Sequence, residues 1–417
     1  MLTSTRHRLV MAGFFGLTGL LNGLWGACLP ATDARLDLGP ARLAVVLLVL
    51  ALGTLVTMPV AGVLAERAGS RRLLWISAVL FAAALGGPAA APGYPALIGA
   101  VLVMSLMLGL LNVALTVQAV DLERESARPV MSMLHGVWAL GALTGGTATA
   151  AGLRAGVDSR LVLAVGAVLA MAALLALGPL LPAPAPRPAE PATPEAAGDG
   201  PRLRLVVMLG LIGAAAFLSE NAATDWAGVH ARRVLGADLA TASLAYTFFF
   251  AAMTGTRLVG DPIRARLGAA RVVFLAGLVA SAGYGLVLAT TFLTSGAIVV
   301  ALAGWLLAGA GMALVWPVVS STVGSVFPHR ARGLSLVTTL AYGGGLLGPT
   351  VMGLVASATS LPVAMIVPAV LVLLVTVSAP PVLRSLTAVP VTVAGGAAAP
   401  APAPRSEQSP PAGTRRW

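Results

Sequence analysis

Lysine is absent from this 417-residue chain: all 26 basic side chains are arginine, set against 15 acids. Charged residues of any kind make up only 10% of it, histidine numbers four, and the one cysteine is Cys28. Each scarcity excludes something. A single cysteine forbids an internal disulfide and a multi-cysteine metal site. So little charge beside 58% of apolar residues is the opposite of a disordered chain, and it is more apolar surface than one soluble core hides. The 48 glycines show no three-residue period, which removes a collagen-like coil. The missing lysine, beside heavy alanine, glycine and proline use, looks like codon bias and carries no chemistry. The net charge of +11 invites a nucleic-acid partner, but no basic stripe with interleaved aromatics exists. Arginine collects instead at the ends of apolar runs, as in a polytopic membrane protein whose solvent is the lipid bilayer.

About 20 apolar residues cross the hydrocarbon core. Twelve such windows are present, at roughly 9–31, 41–64, 72–91, 95–118, 133–153, 160–181, 204–224, 238–259, 270–290, 295–318, 332–356 and 361–382. Each is expected to be a helix, because lipid offers the backbone no hydrogen-bond partner. Small-residue pairs such as Gly141-x-x-x-Gly145 and Gly344-x-x-x-Gly348 predict close helix crossings. The fold class is therefore all-α and polytopic. A Pro/Ala-rich stretch divides it: residues 1–181 form a first six-helix bundle, 182–203 a cytoplasmic linker, 204–383 a second bundle, and 384–417 a disordered cytoplasmic tail. With the N-terminus inside, 20 arginines fall on the inner side. Six fall on the outer side: Arg35, Arg42, Arg154, Arg160, Arg232 and Arg233. That asymmetry puts both termini in the cytoplasm. Leu24 to Cys28 is not read as a lipoprotein cleavage box, because Trp25 stands where a small aliphatic residue is needed.

The two halves repeat at an offset near 200. Asn22 falls on Asn221, Arg67-Ala-Gly69 on Arg266-Leu-Gly268, and the glycine-rich run from Leu140 to Gly146 on Gly343 to Pro349. Parallel repeats of this kind suggest two bundles that rock about a central site.

In the loop after the second window stands Gly62-Val-Leu64-Ala-Glu66-Arg67-Ala-Gly69-Ser70-Arg71-Arg72. It resembles the signature of the major facilitator superfamily, Gly-x-Leu-Ala-Asp-Arg-x-Gly-Arg-Arg/Lys, with Glu for Asp and Ser70 in place of an Arg. The resemblance covers about 9–382 and implies twelve transmembrane helices in two pseudo-symmetric six-helix bundles. It also implies a cytoplasmic gate at Gly62, Glu66, Arg67, Gly69, Arg71 and Arg72, with Asp261 and Arg266 as a weaker second-half copy. Asn112 to Gln118, Glu123-Arg124, Arg128 to Met131, His135-Gly136, Glu220 and Asp225-Trp226 further suggest a bacterial branch distantly similar to the fucose–proton symporters. Those symporters carry acids in helices one and four, where this chain has Asn22 and Asn112. The Gly-Pro pair that marks drug antiporters in helix five is missing.

An ionisable group inside the bilayer costs on the order of 2.5–3.5 kcal/mol by insertion scales and marks a functional position. Glu220 is the acid placed well inside a window, about sixteen residues into the seventh and so in its outer half. It is a candidate for proton coupling or, alternatively, for a structural hydrogen bond to a neighbouring helix. Asn221 and Asp225 accompany it. Asn22 and Trp25 share a helix-one face, and Asn112 sits mid-span in helix four; each reads as cavity lining or as packing. His135 opens helix five with Trp138 on its stripe, as gate, relay or interfacial residue. Trp305 and Trp316, on one stripe of helix ten, read as ring-stacking or packing groups, and Tyr342 on helix eleven as cavity lining. Arg257, at the end of helix eight, reads as topogenic.

The leading expectation is a secondary transporter working by alternating access, taking up a small, sugar-like or otherwise polar solute with protons. The competing readings are a proton-coupled exporter of drugs or apolar metabolites, and a non-transporting membrane sensor. No nucleophile set or phosphate loop is present, so an enzyme is not expected. No metal and no cofactor beyond a proton gradient is expected. A monomer in a bacterial inner membrane completes the reading.

Overall fold

The computed structural model describes residues 2–126, 130–182, 200–319 and 331–387. Among them are twelve long helices and no strand: α1 (Leu2–Leu36), α2 (Gly39–Leu64), α3 (Ser70–Ala90), α4 (Tyr94–Ser126), α5 (Met131–Arg154), α6 (Ser159–Leu177), α7 (Gly200–Arg233), α8 (Leu239–Leu267), α9 (Ala269–Ala289), α10 (Ala297–Met312), α11 (Ala331–Ala358) and α12 (Ile366–Thr387). A π-helical turn, Ala65–Gly69, joins α2 to α3, and a short turn, Leu361–Ala364, leads into α12. Eleven of these helices are long and apolar enough to cross a membrane; α5, diluted by glycine and threonine, falls below that hydropathy yet keeps 24 residues.

The helices outrun their apolar windows. α1 continues to Leu36, α7 spans Gly200–Arg233 and α12 reaches Thr387. The first residues of α7 thus occupy part of the segment expected as linker, and the last turn of α12 part of the expected tail. The rest of the linker, the tail from 388 and the Arg128-Pro129 step lie outside the described residues.

Packing begins with backbone contact. Gly19 and Gly23 of α1 lie against the carbonyls of Trp138 and Ala142 in α5, while Gly141 and Gly145 of α5 lie against those of Gly16 and Leu20. α7 and α11 meet in the same way, Gly344 on Ala214 and Gly348 on the Leu218 backbone. Both small-residue pairs read from the sequence therefore form the crossings they predicted, one in each half. The repeat also holds at the turns: Gly69 (φ 87°) precedes α3 and Gly268 (φ 78°) precedes α9, left-handed conformations that favour glycine.

Outward faces are apolar. Leu161, Val168 and Leu169 of α6, Phe274 and Leu278 of α9, and Leu373 and Val377 of α12 are exposed, as side chains in contact with lipid tails are. Of the spans, α1 is the most enclosed, with 61% of its window buried, against 28% for α6. α1 is therefore central and α6 peripheral.

The six arginines on the minority side are accounted for one by one. Arg35 donates to the carbonyls of Ala91 (2.7 Å) and Pro88 (3.0 Å), and Arg160 to that of Ala89 (2.8 Å). These are the unpaired carbonyls at the C-terminus of α3, where a cation also meets the negative end of the helix dipole. Arg232 donates to the Ala237 carbonyl at 2.8 Å, Arg42 lies 5.6 Å from the Tyr94 ring centre, Arg233 pairs with Asp33, and Arg154 ends α5 as the basic residue of its last turn. At the same end Asp238 caps α8, accepting from the amide (2.9 Å) and hydroxyl (2.6 Å) of Thr241. Those bonds, led by the hydroxyl, hold its carboxyl below its ordinary pKa. The cap's contribution is accordingly present at neutral pH and lost as pH falls through the carboxylate range.

Gly145→Ala is expected to lower the melting temperature in detergent, because its methyl meets the Leu20 backbone; overpacking of this kind costs about 1–3 kcal/mol. Gly343→Ala, whose methyl meets nothing, is expected to leave the melting temperature unchanged or raise it, by up to about 1 kcal/mol of helix propensity.

Candidate functional site

α7 carries the centre of the site. Its span runs Val207–Arg233, and Glu220 stands at the midpoint. The expectation of an outer-half position is corrected: the polar run from Ser219 to Asp225 cuts the hydropathy window short, but the helix continues to Arg233. Glu220 Oε1 lies 3.9 Å from Arg257 Nη2 of α8, with side chains 13% and 18% exposed. Arg257 was read as serving topology rather than substrate. Its guanidinium also donates from Nε to the Ala313 carbonyl at 3.4 Å, where α10 gives way to a turn before helix resumes over 315–319. One side chain thus ties α7, α8 and α10 together.

Rings surround this pair. Phe217, one turn before Glu220, lies 4.8 Å from Trp316 and 5.2 Å from Tyr342, and Trp316 lies 6.3 Å from Tyr342 edge-on. A second cluster crosses between the halves, Trp138 of α5 meeting Phe250 of α8 edge-on at 5.9 Å and Tyr246 at 4.6 Å from Phe250. Tyr284 donates to the Ser219 carbonyl at 2.6 Å and stands edge-on to Trp305 at 5.7 Å. Trp305 is fully buried, so it packs, whereas Tyr342 is exposed.

Asn221 has a structural bond. Pro349 in α11 has no N–H, so the Gly345 carbonyl four residues earlier loses its helical donor. Asn221 Nδ2 supplies that donor at 2.8 Å, and Trp226 Nε1 reaches the Pro349 carbonyl itself at 3.1 Å. The counterpart in the first half, Asn22, donates to the Thr18 carbonyl of its own helix at 2.9 Å. Trp25 is buried, with its indole N–H unpartnered. Asn112 and Asp225 are half-buried on α4 and α7, and His135 is exposed with its ring edge-on to Phe15 at 5.7 Å.

At the signature turn, Gly69 is left-handed and opens α3. Ser70, standing where the family has Arg, is buried and accepts a hydrogen bond from Gln118 of α4 at 2.7 Å. Arg71 donates to the Pro179 carbonyl at 3.5 Å; Arg67, Arg72 and Arg266 are exposed, and Gly62 has open space around it. The side chains of Glu66 and Asp261, and those of 331–336 in the first turns of α11, lie outside the described residues. No cluster of three metal-ligating side chains occurs among the described residues.

Two residues that the sequence reading assigned no site role join the halves at the opposite end. Arg233 of α7 makes a two-pronged ion pair with Asp33 of α1, Nη2 to Oδ1 at 2.9 Å and Nε to Oδ2. Asp33 lay beyond the first apolar window, and Arg233 was counted only as a charge.

Twelve helices in two glycine-seamed halves, with a charge pair halfway along α7's span and a signature turn between α2 and α3, meet a matching sequence profile. The model described as Major Facilitator Superfamily aligns over residues 9–220 and again over 205–411. The chain belongs to the major facilitator superfamily. It is 32% identical over 388 residues to an uncharacterised transporter of Sinorhizobium fredii, covering 90% of this chain and 98% of that one. To an uncharacterised MFS-type transporter of Yersinia pestis it is 30% identical over 376 residues, covering 89% and 94%. Among solved structures it is similar to a D-xylose–proton symporter (TM-score 0.69, 16% identity, 89% and 96% covered). It is also similar to the nucleoside transporter NupG (TM-score 0.67, 14% identity, 90% and 99% covered). Such identities show a shared fold. This superfamily member is a membrane transporter, not an enzyme.

If Asn221 replaces the helical donor that Pro349 removes, Asn221→Ala should destabilise the protein by about 1–2 kcal/mol. Pro349→Ala should then restore most of that loss in the double variant, because the new N–H serves Gly345. A thermal double-mutant cycle reads the coupling; additive losses would reject it.

Proposed function

We propose that this transporter takes up a small, ring-bearing polar solute together with protons, across a bacterial inner membrane with the α2–α3 end and both termini in the cytoplasm. The carrying observation is the Glu220–Arg257 pair at 3.9 Å in the middle of the span. Two opposite charges held there beyond hydrogen-bond distance are bound loosely enough for a proton or a solute to compete for either one. Protonating Glu220 cancels its attraction for Arg257 and leaves the guanidinium to the Ala313 carbonyl and to solute. Deprotonation draws it back. In such a cycle the empty site is a neutral ion pair, and the site loaded with proton and uncharged solute carries one positive charge, on Arg257, while the halves rock. The rings of Phe217, Trp316 and Tyr342 supply a stacking wall beside it.

The orientation rests on arginine distribution and on what the minority arginines do. Five of those six hold carbonyls, a ring or an acid, so they are explained without reference to topology. The majority includes Arg67, Arg72 and Arg266, exposed as topogenic charges are. The segment 183–199 then joins the two six-helix bundles on the cytoplasmic side. Export of flat apolar compounds is the second reading, favoured by two ring clusters and by the commitment of the Asn22 and Asn221 amide groups to backbone carbonyls.

Purified protein in liposomes loaded with a pH-sensitive dye tests both. Inward proton flux on adding one of a panel of sugars, nucleosides or amino acids is the expected result; flux of opposite sense, driven by cationic drugs, would establish export. With the substrate found, Glu220→Gln should abolish solute-driven proton flux while solute exchange at equal concentrations persists. Arg257→Gln should reduce net transport at least tenfold. Proton flux equal to wild type in Glu220→Gln would remove Glu220 as the coupling group.

A further inference from the structure

We infer that Asp33 and Arg233 form the releasable latch of the outer gate, and that breaking this pair alone shifts the protein toward an outward-open form. The inference rests on the alternating-access reading above. Asp33 is 1% exposed, in the last turn of α1. The dipole of α1 disfavours an anion at that position, so the stability of α1 does not explain it. One oxygen, Oδ1, accepts from the first amide of α2, Gly39, at 3.1 Å. Oδ1 also takes Arg233 Nη2, and Oδ2 takes Nε. Arg233 ends α7, in the other half of the molecule. Around the pair the halves also pack on one another: Ser243 of α8 donates to the Ala27 carbonyl of α1 at 2.8 Å, a methyl added at Gly228 would stand 3.0 Å from Pro30, Gly26 lies against the Tyr246 ring, and Gly353 of α11 lies against Ala44 of α2.

An ion pair suits a gate for an energetic reason. A large apolar seal loses its whole hydrophobic gain on opening. An ion pair with a buried carboxylate instead recovers, on opening, the hydration that Asp33 gave up, which offsets much of the lost Coulomb attraction. The closed and open forms therefore stay close in free energy, as rapid cycling requires. Asp37, the neighbouring acid, lies 3.9 Å from Arg233 with a fully exposed side chain. Solvent screens it, so it is an accessory and not the latch.

The test places spin labels at Val157→Cys in the α5–α6 turn and Phe292→Cys before α10, in a Cys28→Ala background. Both sites are exposed at this end of the molecule and lie outside the seam. Double electron–electron resonance in lipid nanodiscs reads the distance between halves without any substrate. Asp33→Asn, which keeps an oxygen for the Gly39 amide, and Arg233→Gln should each raise the ratio of long to short distances roughly tenfold, as expected for losing one charge-assisted pair. The two together should add nothing further, Asp37→Asn should change little, and the exchange Asp33→Arg with Arg233→Asp should restore part of the short population. Unchanged distances in both single variants, with wild-type melting, would overturn the latch while leaving the transport reading intact. Long distances in a protein that moves no solute would support the latch and count against transport.

Discussion

Inside lipid, a carbonyl without a donor is the expensive object, and much of this structure is an answer to that cost. Pro349 strips the donor from Gly345, and Asn221 reaches across from α7 to replace it. α3 ends with bare carbonyls, and Arg35 and Arg160 come from α1 and α6 to meet them. α10 gives way to a turn after Met312, and Arg257 donates to Ala313 at that turn. In each case a side chain from another helix supplies what the local backbone has lost. Each such bond also fixes how two helices sit on one another, so satisfying the backbone and setting the tertiary arrangement are the same act.

Glycine works alongside these bonds. Where α1 meets α5 and α7 meets α11, backbones touch through Gly141, Gly145, Gly344 and Gly348, leaving no room for even a methyl group. The helices that enclose the site are thus locked within each half. The surfaces between the halves meet where α5 packs on α8 and α2 on α11, through Gly146 against Tyr246 and Gly353 against Ala44, with the Trp138–Phe250 contact, the Ser243 bond and the Asp33–Arg233 pair beside them. Glu220 and Arg257 both belong to the second half, on α7 and α8.

Much was legible from residues alone. Twelve apolar windows gave twelve helices, both small-residue pairs became crossings, and the repeat offset that matched Gly69 with Gly268 found two left-handed glycines at equivalent turns. Errors clustered where polarity interrupts apolarity. The acidic and amide residues after Ser219 shortened the seventh window and displaced Glu220 from the midpoint; Asp33 was lost because the first window stopped before it. Arg257 was assigned to topology because its partner sits on another helix. Trp305 and Trp316 shared one stripe in sequence, yet one is sealed against Tyr284 and the other stacks beside the site.

The sequence by itself determined the solvent of this protein, the number of its helices, its twofold internal repeat and its family, because burial in lipid, helix periodicity and short signatures are local properties written along the chain. Tertiary structure alone decided which charge meets which. The partners of Glu220, Asp33 and the Gly345 carbonyl lie 37, 200 and 124 positions away. Only the packing of one helix face on another brings them within reach, and no periodicity encodes that distance.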